Sequence, residues 1–328
     1  MIYSSGNTVT FYDEGCLKMR RLQTKTDKSA DVKCNRSPLA GEKWYGYAFT
    51  LPMLLGYTLF VLLPIMATIF ISLTDWSLFK EPIYIGAQNY VTMFAKDPVF
   101  IKTALNSFYF VMLFLPANLL ITLPLAAMLK KNIPGVGLFR TAVFTPVVTT
   151  IVVWCLVWKY LLQTDNGLIN IVLRMIGIDG PQWLYNTGLA IPVVVMVTLT
   201  RSLGLNMIIF INAMQEVPDM YYEAATIDGA SAWQQFRKIT LHLIAPSIFL
   251  VGIMTIIGAL KVFGQVYITT GGGPGDSSHV FVYYIYLQAF RYYKFGYASA
   301  ISLVLFLIIL ILTLVQWNAR KQWVYHET

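Results

Sequence analysis

Apolar runs long enough to cross a bilayer alternate along this chain with short polar stretches. Charge-poor runs fall at about residues 46–73, 103–129, 139–162, 189–214, 243–268 and 296–318. A spanning helix takes roughly 20 apolar residues, so the pattern predicts an all-α integral membrane protein with about six transmembrane helices. Lys159 and Lys261 fall near the ends of the third and fifth runs, which makes those two the least clean. Pro52, Pro64, Pro116 and Pro124 interrupt the first two and predict kinks of the kind bundled spans tolerate. The same pattern divides the chain into a polar tail over 1–43, a membrane domain over 44–320 and a short tail over 321–328.

One polar stretch is patterned differently. Residues 216–242 carry helix signals at both ends of two short segments. Pro218 suits a first helical turn, Asp219 places an acid at the positive end of that helix, and Asp228-Gly229 is a turn pair that stops it. Ser231 with Gln234 three residues on reads as a capping box that starts a second helix. Two short helices at a fixed bend make a knob suited to a partner. An interfacial hairpin lying on the membrane is the simpler alternative, but such helices favour basic polar faces, whereas this segment carries Glu216, Asp219, Glu223 and Asp228.

Composition agrees with a membrane class. Of the 328 residues, 57% are hydrophobic and only 12% charged, against about 25% charged in soluble domains. The basic residues also orient the chain. Lys18, Arg20, Arg21, Lys25, Lys28, Lys33, Arg36 and Lys43 precede the first run, and Lys130, Lys131, Arg140, Arg237, Lys238, Arg320 and Lys321 fall on the same side of a six-span arrangement. The positive-inside rule then puts both termini and the 216–242 loop in the cytoplasm. A formal charge of +8 needs no nucleic acid, because topology and anionic lipid headgroups account for it. The first 43 residues are too long and too charged for a secretory signal.

Catalytic chemistry finds no footing. Cys16, Cys34 and Cys155 form no pair motif, and His242, His279 and His326 stand far apart without ligand spacing, so no disulfide and no metal site is expected. Gly271-Gly-Gly-Pro-Gly275 lacks the Lys-Ser/Thr of a phosphate loop and reads as a turn. The chain itself is expected to hold no cofactor, and its energy source must be another chain.

The residues now resemble a known family. Glu223-Ala224-Ala225, Gly229 and Ile239-Thr-Leu241 match the loop named for its Glu-Ala-Ala in bacterial ABC-importer permeases. Gly258 to Pro274, ending Thr-Thr-Gly-Gly-Gly-Pro, resembles a stretch of the carbohydrate branch, which includes the larger maltose-system permease and the glycerol-3-phosphate permease. Asn89-Tyr-Val-Thr-Met-Phe94, Tyr283 to Phe290 and Gly296-Tyr-Ala-Ser-Ala300 fit the same pattern, so the likeness runs from about 45 to 319. Two positions depart from it. The loop usually closes Leu-Pro, and here Leu241-His242 stands; an aspartate commonly follows the Phe of the fifth span, and here Gly264-Gln265 follows Phe263.

The resemblance implies a type I importer fold with a cytoplasmic coupling helix, in a bacterial inner membrane. It implies a second related permease subunit, two cytoplasmic ATPase subunits that bind ATP and Mg, and an extracytoplasmic solute-binding protein. Glu223, Ala224, Ala225, Asp228, Gly229, Trp233 and Phe236 are the coupling candidates, with Tyr221 and Tyr222 adding apolar contact surface. The solute is expected to be a carbohydrate, either an oligosaccharide or an anionic sugar such as a uronate oligosaccharide or sugar phosphate.

Polar groups inside the spans are the candidates for its path. Arg201 lies in the middle of the fourth run, with Asn206 and Asn212 after it. At 100° per residue Arg201 and Asn212 share a face within about 20°, and Asn206 is turned from it by about 140°. A carbonyl clamp or ion pair to the partner permease is the structural alternative for Arg201. Lys261, Gln265 and Tyr267 near the end of the fifth run are the next candidates, with snorkelling the alternative for Lys261. Arg201 and Lys261 together favour an anionic or hydroxyl-rich solute. Residues 281–297, dense in tyrosine, read as an interfacial helix leading into the last span. A permease for a non-sugar solute and a membrane-embedded enzyme are the alternatives. The Thr-Gly-Gly-Gly-Pro stretch opposes the first, and the near absence of carboxylates in the spans opposes the second.

Overall fold

The computed structural model describes residues 40–130 and 134–323, with side chains from 47 to 318. The polar tails expected at 1–43 and 321–328 lie outside them, apart from 40–43 and 321–323, which are helical.

The chain divides into two units at Leu63. The first holds helix α1, Ala40–Tyr57 with Pro52 inside it, and a wider π turn over Thr58–Leu62. Its apolar side chains, Phe49, Met53 and Phe60 among them, are exposed. The second unit starts in α2, Leu63–Ser72. A two-residue hairpin follows, β1 Thr74–Asp75 against β2 Ile83–Tyr84 in antiparallel register, and then α3, Gln88–Ala95. The long α4, Pro98–Leu129, leads to α5, Val136–Val148; α6, Ile151–Leu161; α7, Leu168–Met175; and α8, Ala190–Gln215. Short helices α9, Asp219–Ile227; α10, Ala232–Gln235; and α11, Leu241–Leu243, precede α12, Ala245–Leu260. The chain closes with α13, Gly264–Thr269; α14, Phe281–Tyr286; and α15, Phe295–Trp323.

Among the described residues, four helical stretches are long and apolar enough to span a membrane: Tyr47–Ser72, Pro98–Leu129, Ala190–Gln215 and Phe295–Asn318. Two more form only as bent pairs. α5 and α6 meet at 105°, and Ala232–Leu243 meets α12 at 70°. The third and fifth runs are therefore not the continuous helices that their hydropathy predicts. In the third, Thr149 and Thr150 are both extended, and the Thr150 hydroxyl accepts from the Val153 amide to start α6 afresh. In the fifth, α12 ends at Leu260, Lys261 caps it, and α13 starts only at Gly264.

The core of the second unit is the seam between α4 and α8. Buried positions on α4 recur every three or four residues, from Phe100 and Thr103 through Ser107, Phe110, Phe114, Asn118, Thr122 and Ala126 to Leu129. That spacing keeps one stripe of the helix turned inward. α8 is the most enclosed span, with Val194, Val197, Met207 and Phe210 fully buried. Gly204 lets α5 lie directly on it, since a Cβ there would stand 2.6 Å from the Val143 carbonyl oxygen.

The Asp97 end of α4 is anchored by one carboxylate. Asp97 Oδ1 accepts from the amides of Val99 (3.0 Å) and Phe100 (3.1 Å), which caps the helix. Its Oδ2 accepts from the hydroxyls of Tyr284 (2.6 Å) and Tyr297 (2.5 Å), tying α4 to α14 and α15. Nearby, the Asn89 amide donates to the carbonyls of Ser72 (2.8 Å) and Thr74 (3.0 Å), and Gly296 lies so close to the Thr74 carbonyl that a Cβ would not fit. The segment over 281–297 departs from the interfacial helix expected of it. α14 breaks into a π turn at Leu287–Arg291, Tyr293 takes a positive φ of 56°, and Tyr283 and Tyr284 are buried core residues. The glycine turn before it is fastened to α4: Lys102 donates to the Gly275 carbonyl, Asn106 to that of Asp276, and the Ser107 hydroxyl accepts from the Phe281 amide.

Burial pushes the Asp97 carboxyl up, but the hydroxyls of Tyr284 and Tyr297 and the amides of Phe100 and Val99 together hold it below the usual value of 3.8. A depressed carboxylate contributes stability that is full above about pH 4 and is lost as pH falls through the lower folded value. Asp97→Ala is expected to destabilise the fold by about 2 kcal/mol at pH 7, from loss of the cap and two hydroxyl bonds. Thermal unfolding in detergent checks this, and Asp97→Asn should remove this group's part of the stability change below about pH 4.

Candidate coupling element and substrate path

The polar segment between α8 and α12 folds as two helices at a fixed bend. Pro218 is extended and precedes α9, with Asp219 as the first helical residue. α9 closes in a full Schellman motif: the Ala230 amide donates to the Ala225 carbonyl (2.9 Å) and the Gly229 amide to that of Thr226 (3.1 Å). Gly229 takes φ +75° there, a conformation that costs other L-residues about 1–2 kcal/mol. α10 opens at once with a capping box, the Gln234 amide donating to Ser231 Oγ and the Ser231 amide to Gln234 Oε1. The bend is cross-bonded as well. The Gln235 side-chain amide donates to the Thr226 hydroxyl (3.0 Å) and the Ala230 carbonyl (3.2 Å), and Tyr222 Oη lies 3.0 Å from Thr240 Oγ1 in the π turn Phe236–Thr240.

The candidates divide between two faces of this knob. Glu223, Ala224, Asp228 and Gly229 are exposed, and Ala225 is half-buried. Trp233, 67% exposed, stacks on Phe236 with ring centres 5.8 Å apart. Tyr221 is exposed too, as is Ile227 at 87%, a residue the sequence reading did not single out. Tyr222 and Phe236 turn the other way, packing against the buried cluster that contains Leu129 and Met214. Together with one side of Trp233 they line an apolar hollow of about 930 Å³ beside the second half of α4, and the Lys130 ammonium stands 5.0 Å over the Tyr222 ring. Where the resemblance puts proline after Leu241, His242 is exposed in α11, and the chain turns at Ile244 instead. The nearest proline, Pro246, takes the second position of α12, where a missing N–H costs little.

The substrate-path candidates do not converge on one point. Arg201 is half-buried and donates from Nη2 to the Thr149 carbonyl (3.3 Å), at the break between α5 and α6, while its buried Nε has no partner. Asn206 is 6% exposed and lies in the α4–α8 seam. It donates to Asn118 Oδ1 (3.0 Å), which also accepts from Thr122, and the Asn118 amide reaches Ser202 Oγ (3.3 Å). Asn212 is exposed near the far end of α8. Lys261 is exposed at the end of α12 and Gln265 half-buried on α13. Tyr267, 48% exposed, stacks on Phe263 (5.5 Å) and meets Tyr286 edge-on (5.4 Å). The two broken runs do come together, since a Cβ at Gly264 would touch Ile151, the first residue of α6.

Sequence reading missed Asn118 and Thr122, the partners of Asn206. Their signal was present as polar residues four apart on the buried stripe of α4, but no sequence pattern says which helix faces it. It also missed Asp97, whose pairing with Tyr284 and Tyr297 spans 187 and 200 residues of chain. Among the described residues no three of His, Cys, Asp and Glu are grouped to hold a metal ion.

Residues 48–323 match the model for the binding-protein-dependent transport system inner membrane component. The probable ABC transporter permease YurN of Bacillus subtilis is 38% identical over 82% of this chain and 94% of its own length. The lactose transport permease LacF of Rhizobium radiobacter is 33% identical over 84% and 94%. The trehalose/maltose permease MalF of Thermococcus litoralis is 32% identical over 82% and 91%. Among solved structures, one chain of a bacterial ABC transporter involved in the import of the acidic polysaccharide alginate superposes with a TM-score of 0.77, covering 87% of this chain and 98% of that one, at 23% identity. The fold is thus that of a type I importer permease, and the chain belongs to the family of binding-protein-dependent transport system inner membrane components, the multi-pass, non-catalytic permease subunits of ABC transporters.

Proposed function

We propose that this permease is half of the pathway of a carbohydrate importer, with an anionic or hydroxyl-rich sugar as solute. In this reading both termini and the Asp219–Leu243 element are cytoplasmic, and a second related permease completes the pathway. Two ATPase subunits bind ATP and Mg, and an extracytoplasmic binding protein delivers the sugar. Relatives named for lactose, for trehalose and maltose and for arabinooligosaccharides, each at 30% identity or more, support the carbohydrate class.

The observation that carries the proposal is the cross-bonded bend at Gly229. A force transmitter must not flex, and here helix closure, capping box and side-chain bonds all act at one corner. Exposed Tyr221, Ile227 and Trp233 give the ATPase an apolar surface to grip. On the membrane side, Arg201 stands at a broken helix, where irregular backbone is tolerated only if it is enclosed by protein or lines a cavity. Arg201 at that break offers a charged sugar a charge-assisted bond, and the exposed Lys261 and the Tyr267 ring offer a second charge and a ring face at separate points of the path.

Two experiments in the reconstituted transporter test this. Gly229→Pro, and Glu223→Lys on the exposed face, are expected to cut uptake about tenfold or more and to abolish stimulation of ATP hydrolysis by loaded binding protein. Gly229→Asn, which accepts the left-handed conformation, is expected to retain both. Normal stimulated hydrolysis in Gly229→Pro and Glu223→Lys overturns the coupling role. For the path, Arg201→Met and Lys261→Met are expected to weaken uptake of an acidic sugar about tenfold relative to its neutral analogue, with Arg201→Lys partly restoring it. An unchanged preference between the two sugars rejects the anionic solute.

A further inference from the structure

A polar hollow of about 640 Å³ lies over the Asp97 anchor, built from three distant parts of the chain. The hairpin contributes Asp75, Trp76 and Lys80, the end of α3 contributes Lys96, and the junction between α14 and α15 contributes Gln288 and Lys294. The parts are fixed to one another. Ser77 and Lys294 form a backbone bridge, the Gly296 amide donates to the Trp76 carbonyl (3.2 Å), and the Lys294 amide donates to that of Gln288 (2.8 Å).

Two observations mark this hollow as a place where something binds. Lys80, Lys96 and Lys294 are exposed around it, and among the described residues none of them makes an ion pair. Two carboxylates share the lining: Asp97 is already engaged by two hydroxyls and two amides, and Asp75 is exposed and makes no ion pair among the described residues, so three lysines face one free carboxylate. Gln288 is 6% exposed, and its amide oxygen accepts no hydrogen bond. A buried acceptor without a partner is costly and rare. Unpaired cations at the rim and an unfilled acceptor in the wall together call for an occupant that brings carboxylates and N–H donors.

We infer that this hollow is the docking point for an acidic turn on the surface of the solute-binding protein. The inference rests on the importer reading above, in which this end of α4 faces outward. An acidic turn carries both required groups, carboxylates for the three lysines and backbone N–H for Gln288. Long, exposed lysines act over distance and suit the steering of a diffusing protein partner. The floor of the hollow gives docking a consequence. Asp97 bonds the first turn of α4 to α14 and α15, so an occupant seated on it bears directly on two spans.

The test uses the assembled transporter in lipid nanodiscs and the purified binding protein that accompanies it. ATP hydrolysis is followed against binding-protein concentration at several salt concentrations, for the wild type and for the triple variant Lys80→Glu, Lys96→Glu, Lys294→Glu. The half-saturating concentration is expected to rise about tenfold at low salt, the difference shrinking as salt screens the charges. The neutral variant Lys80→Gln, Lys96→Gln, Lys294→Gln is expected to fall between the two. Identical concentration and salt dependence in wild type and triple variant overturns the docking inference while leaving the importer reading intact. Direct binding of an acidic sugar to the wild-type transporter without binding protein, lost in the triple variant, also overturns it, because the occupant is then a saccharide. A wild-type complex whose ATP hydrolysis ignores the binding protein overturns the importer reading and the docking point with it.

Discussion

Asn118 and Asn206 meet across the seam between α4 and α8, with Thr122 and Ser202 bonded into the same group. Four polar side chains in an apolar seam are stable only when each satisfies another, because a membrane interior supplies no water to replace a lost bond. That requirement sets the register of the two most enclosed spans. From that register the rest follows. Gly204, two residues before Asn206, brings α5 onto α8, and α5 ends where the Thr149 carbonyl accepts from Arg201. The charged residue in the middle of α8 is thereby held at a chain break rather than against lipid.

α4 also runs from the polar hollow to the capped two-helix element. Its 32 residues make a rod of roughly 48 Å. At one end Asp97 gathers α14, α15 and the polar hollow; at the other Lys130 stands over Tyr222 of the two-helix element. A helix packed along most of its length moves as a body. Whatever tilts the bent pair around Gly229 therefore has beside it one continuous helix that reaches the Asp97 end. Pro116 and Pro124 lie within this rod, and the helix runs through both.

Local chemistry made the capped two-helix element readable in advance. Asp-Gly at the close of its first helix and Ser with Gln three residues on both concern bonds within six residues and occur as read, whereas Pro218, expected in the first helical turn, stands extended just before it. The broken spans were harder to see. Hydropathy averages over a window and cannot register that Thr149 and Thr150 leave the helix, since threonine is apolar enough to sit inside a span. The tyrosines over 283–297 misled for a related reason. Aromatic residues with a polar tip suit a membrane interface and a buried hydrogen bond equally; Asp97, nearly 200 residues away, decides for the second at Tyr284 and Tyr297, while Tyr292 and Tyr293 stay exposed.

By itself the sequence determined the membrane class, the number of apolar runs, the capped two-helix loop and, through motif spacing, the family. Each of these depends on composition or on contacts within one or two helical turns. Tertiary structure alone decided which polar residues face a helix partner and which face open space. It sent Asn206 into the seam, Arg201 to the break, and Tyr267 onto an exposed aromatic surface. It also placed Asp97 beneath a ring of lysines drawn from three parts of the chain. A residue's helical phase can be counted from sequence, but what stands opposite that phase is set by the packing of helices far apart in the chain.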